Sequence, residues 1–166
     1  SRAEVLEQAD ILLSIHPLEN EDFAKVHSKI LLGVYQPLSN GENVIKSIER
    51  KITTFSLDML PRTTRAQAMD VLSSQANIAG YKAVLLAANS YGRYFPMFMT
   101  AAGSIAPAKM LILGAGVAGL QAIATAKRLG AVVEVFDTRP AVKEEVMSLG
   151  AKFVEVAGAA DASTAG

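Results

Sequence analysis

The sequence predicts an α/β protein with parallel sheets, arranged as two units joined by a long helix. Three observations predict it. Short apolar or β-branched runs recur at intervals, helical patterns lie between most of them, and one glycine-rich turn links such a run to a helix. In chain order the strand candidates are "DILLSI" (10–15), "KILLGVY" (29–35), "KITTFSL" (51–57), "KMLILG" (109–114), "VVEVFD" (132–137) and "KFVEV" (152–156). The intervening helical patterns are "ENEDFAKV", "GENVIKSIER", "GLQAIATAKRLG" and "AVKEEVMSLG". The last strands read as nearly continuous apolar runs, the pattern of a sheet covered on both faces.

The alternation breaks once, from Pro61 to about Ser104. Pro61 disfavours helix through Leu60 and fits a first turn. From Thr64 the pattern is helical to about Ser90, with a bend expected near Gly80. Ala66, Met69, Leu72, Ala76, Ala79 and Ala83 follow three- and four-residue spacing and are expected to form one apolar face. "YGRYFPMFMTAAGSIAPAK" then reads as an aromatic, Pro- and Gly-punctuated connector, with Tyr91, Tyr94, Phe95 and Phe98 packing it against the core. The expected divisions are 1–60, 61–108, 109–156 and a small-residue tail at 157–166. The chain opens "SRAEVLEQAD", without Met and partway through a helical pattern, and reads as a stretch of a longer, two-domain polypeptide.

Composition narrows the classes. The 166 residues are 51% hydrophobic and 19% charged, with sixteen basic and sixteen acidic side chains, so bulk charge points to neither nucleic acid nor an anionic membrane surface. The absence of Cys removes disulfides, thiolate metal sites and Cys nucleophiles. No apolar run approaches the ~18 residues of a membrane span. His16 and His27 have no metal-ligand spacing, and the adjacent acids Glu21/Asp22 and Glu144/Glu145 read as solvated helix faces.

"LILGAGVAGLQAIATAKRLGAVVEVFDTRP" carries the clearest chemistry. Gly114, Gly116 and Gly119 form G-x-G-x-x-G after a strand and at the opening of a helix, and Asp137 ends the next strand 23 residues after Gly114. This is the pattern of a Rossmann-type dinucleotide site. Gly114 permits the tight turn, Gly116 lets backbone approach a pyrophosphate, and Gly119 allows close helix–strand packing. The amides near Val117 and Ala118 favour a phosphate at the helix N-terminus. Asp137 can accept the adenosine ribose hydroxyls and would repel a 2′-phosphate, which favours NAD over NADP. Arg139 complicates that choice, because an arginine there can hold a 2′-phosphate.

The other unusual stretch is "RAQAMDVLSSQANIAGY" (65–81), where Gln67, Asp70, Ser73, Ser74, Gln75 and Asn77 crowd a helical pattern after the basic turn "PRTTR". One reading is a capped helix start: Thr63 or Thr64 as N-cap, with Gln67 completing a capping box. The other is a ligand-facing surface, since uncharged amides and hydroxyls are an odd choice for solubility alone.

The two stretches "MLPRTTRAQAMDVLSSQANIAGYKAV" and "GAGVAGLQAIATAKRLGAVVEVFDTRPAVKEEVMSLGAKFVEV" together resemble the NAD(H)-binding domain of proton-translocating nicotinamide nucleotide transhydrogenases. The resemblance covers about Asp10 to Val156. It implies an oxidoreductase component, peripheral and homodimeric, that passes hydride directly between NAD(H) and NADP(H) bound on a partner domain. A membrane-spanning proton-channel domain would couple the exchange to proton translocation. It implies a position on the bacterial cytoplasmic or mitochondrial matrix side of an inner membrane. By the same resemblance, Arg62 and Gln67 lie near the nicotinamide, Asp70 and Ser73 complete that pocket, and Arg65 is close by. Gly114, Gly116, Val117 and Gly119 match the pyrophosphate loop, and Asp137, Thr138 and Arg139 the adenosine-ribose segment. Hydride exchange between nicotinamides moves no proton, so no acid–base residue is expected.

The related alanine dehydrogenases are the rival reading. That family carries a Lys and a His after the first-unit strands, where "LLSIHP" and "LLGVYQP" place Ile15 and Tyr35. His16 is out of register and reads as an exposed loop residue. A non-catalytic NAD sensor is the third reading. It would pair an intact glycine loop with a degraded nicotinamide site.

Overall fold

The computed structural model describes residues 1–156 and Gly158; the rest of the tail expected at 157–166 lies outside the described residues. The chain divides into two compact units, Ser1–Leu72 and Ser73–Gly166. All six strand candidates form strands.

In the first unit, α1 (Arg2–Gln8), β1 (Ile11–Ser14), α2 (Asn20–Phe23), β2 (Ile30–Gly33), α3 (Gly41–Glu49) and β3 (Thr53–Ser56) alternate, and the strands pair in parallel in the order β1-β2-β3. Leu12 lies beside Leu31, and Leu31 beside Thr54. Alternate strand side chains point to opposite faces. Leu12 and Leu31 therefore enter a core with Leu6, Leu18, Phe23, Val26, Tyr35 and Ile52, while Leu13 stays 74% exposed on the other face. Asp22 corrects one expectation. It is buried rather than solvated, and Arg2 donates to its Oδ2 through Nε at 3.1 Å and Nη2 at 2.5 Å. A charge taken out of water needs such a partner.

In the second unit, β6 (Lys109–Leu113), α5 (Val117–Arg128), β7 (Val132–Phe136), α6 (Lys143–Ser148) and β8 (Lys152–Phe153) form two βαβ crossovers, with strand order β6-β7-β8, all parallel. Ile123, Val135 and Val146 are fully buried where α5 and α6 meet the sheet. The expectation of two covered faces fails at β6, whose Leu111 and Leu113 remain 58% and 73% exposed. Among the described residues, elements cover the opposite side of that strand, where Met110 and Ile112 pack against the core.

The long helix is also corrected. Residues Thr64–Met69 are 3₁₀, the backbone leaves helical geometry at Asp70 (φ −74°, ψ 88°), and α4 spans Val71–Ser90. Thr63 occupies the N-cap of the 3₁₀ run without a side-chain bond, so no capping box forms. Asp offers the backbone local alternatives to helix, and the break falls on it. The change of pitch rephases the apolar stripe. Gly80 and Val84 are buried in α4 with Ala76 and Ala88 partly so, whereas Met69, Leu72, Ala79 and Ala83 are exposed. Gly80 does not bend α4, which runs unbroken through it; its missing side chain instead lets the helix meet α5 at Ala118.

The connector contains an antiparallel hairpin, β4 (Phe98–Thr100) and β5 (Gly103–Ile105), which its Pro and Gly punctuation hid. Of its aromatics only Phe95 is buried. Tyr91 meets it edge-on at 5.9 Å, and Tyr94 pairs with Phe98, all three staying over 40% exposed.

Candidate functional site

The glycine loop sits at the carboxyl ends of β6 and β7, where ligands of open α/β sheets bind. β6 ends at Leu113, and Gly114 takes φ +94°, a conformation that L side chains rarely adopt. Its N–H donates to the Phe136 carbonyl at 2.8 Å, which ties the start of the turn to the end of β7. Gly116 is the N-cap of α5, and nothing lies within 4 Å of where its side chain would stand. Val117 begins the helix and is 42% exposed, and the first-turn amides lack partners within the helix itself. Gly119 faces the strand; a Cβ there would meet the Gly114 carbonyl oxygen at 1.9 Å.

Asp137 joins this loop from β7. Its Oδ2 accepts from the Ala115 N–H at 2.7 Å and from Arg139 Nη2 at 3.0 Å. Its Oδ1 accepts from the Arg139 N–H at 2.8 Å and from Arg139 Nε at 3.0 Å. The Asp137 side chain is 6% exposed, and that of Arg139 41%. Arg139's bonds hold the Asp137 carboxyl well below the usual carboxylate range; burial opposes the shift, and the Ala115 and Arg139 amides reinforce it.

Thr138 and Asp137 also line an open cleft of about 560 Å³, walled by Phe136, Pro140, Phe153, Val154 and Val156. At its rim, Lys143 pairs with Glu155. Sequence reasoning does not single out these apolar walls. In the sequence, the apolar ends of "VVEVFD" and "KFVEV" signal strands and nothing more.

Seven residues of the dinucleotide pattern thus come together: Gly114, Gly116, Val117, Gly119, Asp137, Thr138 and Arg139. The residues expected near the nicotinamide divide otherwise. Arg62, Arg65 and Gln67 are exposed along the 3₁₀ run and its approach, and half-buried Asp70 terminates it, all in the first unit. Ser73, half-buried, lies in the first turn of α4 in the second unit. In α4, Asn77 donates to Gln121 Oε1 of α5 at 3.2 Å, so part of the polar face serves helix pairing.

At the positions of the rival chemistry, Ile15 is 76% exposed and Tyr35 is 6% exposed. The Tyr35 hydroxyl lies 3.0 Å from Ser14 Oγ, and its N–H donates to Ser56 Oγ at 2.9 Å. Burial raises the Tyr35 phenol, which the Ser14 contact partly offsets. The apolar cavity beside it, about 320 Å³, has no Lys, His or carboxylate among its described lining residues. No helix of the described residues is long and apolar enough to cross a membrane.

Comparison with known proteins agrees with this fold. Residues 1–79 match the family described as alanine dehydrogenase/PNT, N-terminal domain, and residues 83–165 its C-terminal domain. An NAD(P) transhydrogenase alpha-subunit polypeptide of Rickettsia prowazekii (strain Madrid E) is 49% identical over 157 residues, covering 91% of this chain and 41% of that protein. The protein of the same name from Rhodospirillum rubrum is 47% identical over 160 residues, covering 93% and 42%. The chain therefore spans about two fifths of the length of these relatives. Among solved structures, the transhydrogenase from Sinorhizobium meliloti superposes with a TM-score of 0.86 at 49% identity, covering 92% of this chain and 46% of that one. An L-alanine dehydrogenase shares the fold at TM-score 0.71 and 19% identity, covering 89% and 42%.

Proposed function

The chain belongs to the alanine dehydrogenase/PNT family, and on that premise we propose that it is a segment of the NAD(H)-binding component of a proton-translocating NAD(P) transhydrogenase. The observation that carries the reading is the closed circuit between the glycine loop and the β7 acid, with Ala115 N–H on Asp137 Oδ2 at 2.7 Å. It supports the reading by holding a carboxylate suited to ribose hydroxyls beside a helix N-terminus that favours phosphate.

The residues present fit a dinucleotide. The amides of Val117 and Ala118 would hold the pyrophosphate, with the open space at Gly116 admitting it. Asp137 and Thr138 would take the adenosine ribose, and the walls of Phe136, Pro140 and Val154 suit a flat apolar base. Arg62, Gln67, Asp70 and Ser73, with Arg65 nearby, would orient the nicotinamide. The bound nicotinamide supplies the hydride donor or acceptor. This chain's side chains supply orientation, and they need no acid or base because the exchange moves no proton.

The partners would be a domain holding NADP(H) and a membrane-spanning domain that couples the exchange to proton movement. The component would act as a homodimer, on the bacterial cytoplasmic or mitochondrial matrix side of an inner membrane. Residues 1–60 would belong to the N-terminal α/β domain and 109–156 to the nucleotide-binding domain, with 61–108 linking them.

The relatives named as transhydrogenase alpha subunits, at 47–49% identity, support this reading over the alanine dehydrogenase one. So does the buried phenol of Tyr35, which cannot serve as a base near neutral pH. The test mixes the full-length protein with its NADP-binding partner and follows NADH oxidation with an NADP⁺ analogue as acceptor. A parallel sample receives pyruvate and ammonium. Turnover that requires both analogue and partner is the expected result. Turnover with pyruvate and ammonium overturns the reading in favour of an alanine dehydrogenase, and NADH binding without turnover in either sample overturns it in favour of a sensor.

A further inference from the structure

We propose that Asp137 and Arg139 mask one another: Arg139 occupies the acceptor sites that a ribose hydroxyl needs, and Asp137 occupies the guanidinium that a 2′-phosphate needs. The inference rests on the NAD(H)-site reading above and goes beyond it. A carboxylate offers about four acceptor positions. In Asp137 all four are taken, two by backbone amides and two by the side-on fork of Arg139 Nε and Nη2 at 3.0 Å. The amides of Ala115 and Arg139 are fixed by the fold of the loop. The guanidinium is not, since Arg139 reaches over from two residues on, and its side chain is 41% exposed. It is the one donor pair that can swing into water.

Ribose recognition therefore begins with an exchange. The guanidinium leaves, the ribose hydroxyls replace it on Oδ1 and Oδ2, and the carboxylate keeps its two amide donors and its charge. A cofactor bearing a 2′-phosphate fares worse on both counts. It meets the carboxylate as a like charge, and the arginine that matches phosphate bidentately is already forked onto that carboxylate. Discrimination against NADP(H) then belongs to the pair rather than to the acid alone. The arginine, which in isolation argues for NADP, carries a cost for NAD as well.

Two variants of the full-length protein separate this from a merely positioning arginine, with NADH and NADPH titrated calorimetrically against each. Arg139→Gln removes the competitor while leaving Asp137 its two amide donors. NADH should bind about two- to fivefold tighter, the range of a part-exposed ion pair, while NADPH stays weak. If Arg139 instead positions Asp137, R139Q weakens NADH, and the masking is overturned. Asp137→Asn releases the guanidinium and removes the like charge. NADPH affinity should rise about tenfold or more relative to NADH, and D137N/R139Q should lose that gain. D137N without the gain, or with a gain that survives in the double variant, also overturns the proposal. Failure of the wild-type protein to bind NADH overturns the site reading itself, a separate result read from the same titrations.

Discussion

Gly119 of α5 and Gly114 of the turn touch where no side chain fits: a Cβ on Gly119 would stand 1.9 Å from the Gly114 carbonyl oxygen. The obstacle is backbone, which cannot rotate aside as a side-chain tip would. Gly119→Ala must push α5 away from β6 and carry the Val117 and Ala118 amides with it. The expected result is destabilisation by about 1–3 kcal/mol, the usual range for overpacking, together with loss of NADH binding. Urea unfolding and calorimetric titration of the same variant check the two effects. An alanine variant with unchanged urea midpoint would mean that helix and strand are not in this contact.

Asp137 ties stability to acid. Its unfolded value is the ordinary 3.8, and the folded value is held below it, first by Arg139 and then by the loop amides against the cost of burial. The folded state therefore binds fewer protons. The stabilisation is complete above about pH 5 and fades as pH falls through and below 3.8. Asp137→Asn should be less stable than the parent at about pH 7, and the gap between them should begin to narrow only as pH falls below 3.8. Urea midpoints measured for both proteins across that range test it; a gap that stays constant refutes the linkage.

The dinucleotide pattern is legible in the sequence because its parts are local and chemically forced. Gly114 needs positive φ, Gly119 needs contact with backbone, and Asp137 must end the neighbouring strand. Each demand leaves a residue type at a fixed spacing. The parallel strands are legible for a similar reason, since runs such as "KILLGVY" have few alternatives. What escapes the sequence depends on tertiary context. The 3₁₀ start at Thr64–Met69 uses residues that suit an α-helix equally well, and the break at Asp70 shifts the apolar stripe onto Gly80 and Val84. Asp22 looks like a surface acid because Arg2, its partner, lies twenty residues away. The Phe98–Ile105 hairpin is short and without strict alternation, so its turn residues dominate the pattern. The fork of Arg139 on Asp137 is a rotamer choice, on which spacing is silent.

Tyr35 stands where the alanine dehydrogenase reading expects a His. Its hydroxyl meets Ser14 Oγ at 3.0 Å in a nearly closed environment, and burial raises its phenol above the ordinary 10.0. Tyr35→Phe should cost about 0.5–1.5 kcal/mol through the lost hydrogen bond and leave transhydrogenation unchanged. Because the folded pKa is raised, the neutral phenol's contribution is complete below about pH 10 and declines above it, and the Phe variant should lack that alkaline decline. Urea midpoints at neutral and alkaline pH, beside the hydride-transfer assay, check both statements. Activity that disappears in Tyr35→Phe while stability persists would return the residue to the chemistry.

Gly80 sets helix propensity against sterics within one residue. In an open helix interior, Gly to Ala gains about 1 kcal/mol. In α4, however, a Cβ at position 80 would lie 2.0 Å from the Ala118 carbonyl oxygen and 2.8 Å from its carbon, both backbone atoms of α5. Relieving that contact requires the helices to separate around buried Val84, which costs about 1–3 kcal/mol or more in packing and cancels the propensity gain. Gly80→Ala should therefore be net destabilising. Ala79→Gly, one position away on the exposed side, should cost only about 1 kcal/mol. Thermal or urea unfolding of the two variants decides the matter. If Gly80→Ala proves the more stable protein, α4 and α5 do not approach each other at this glycine.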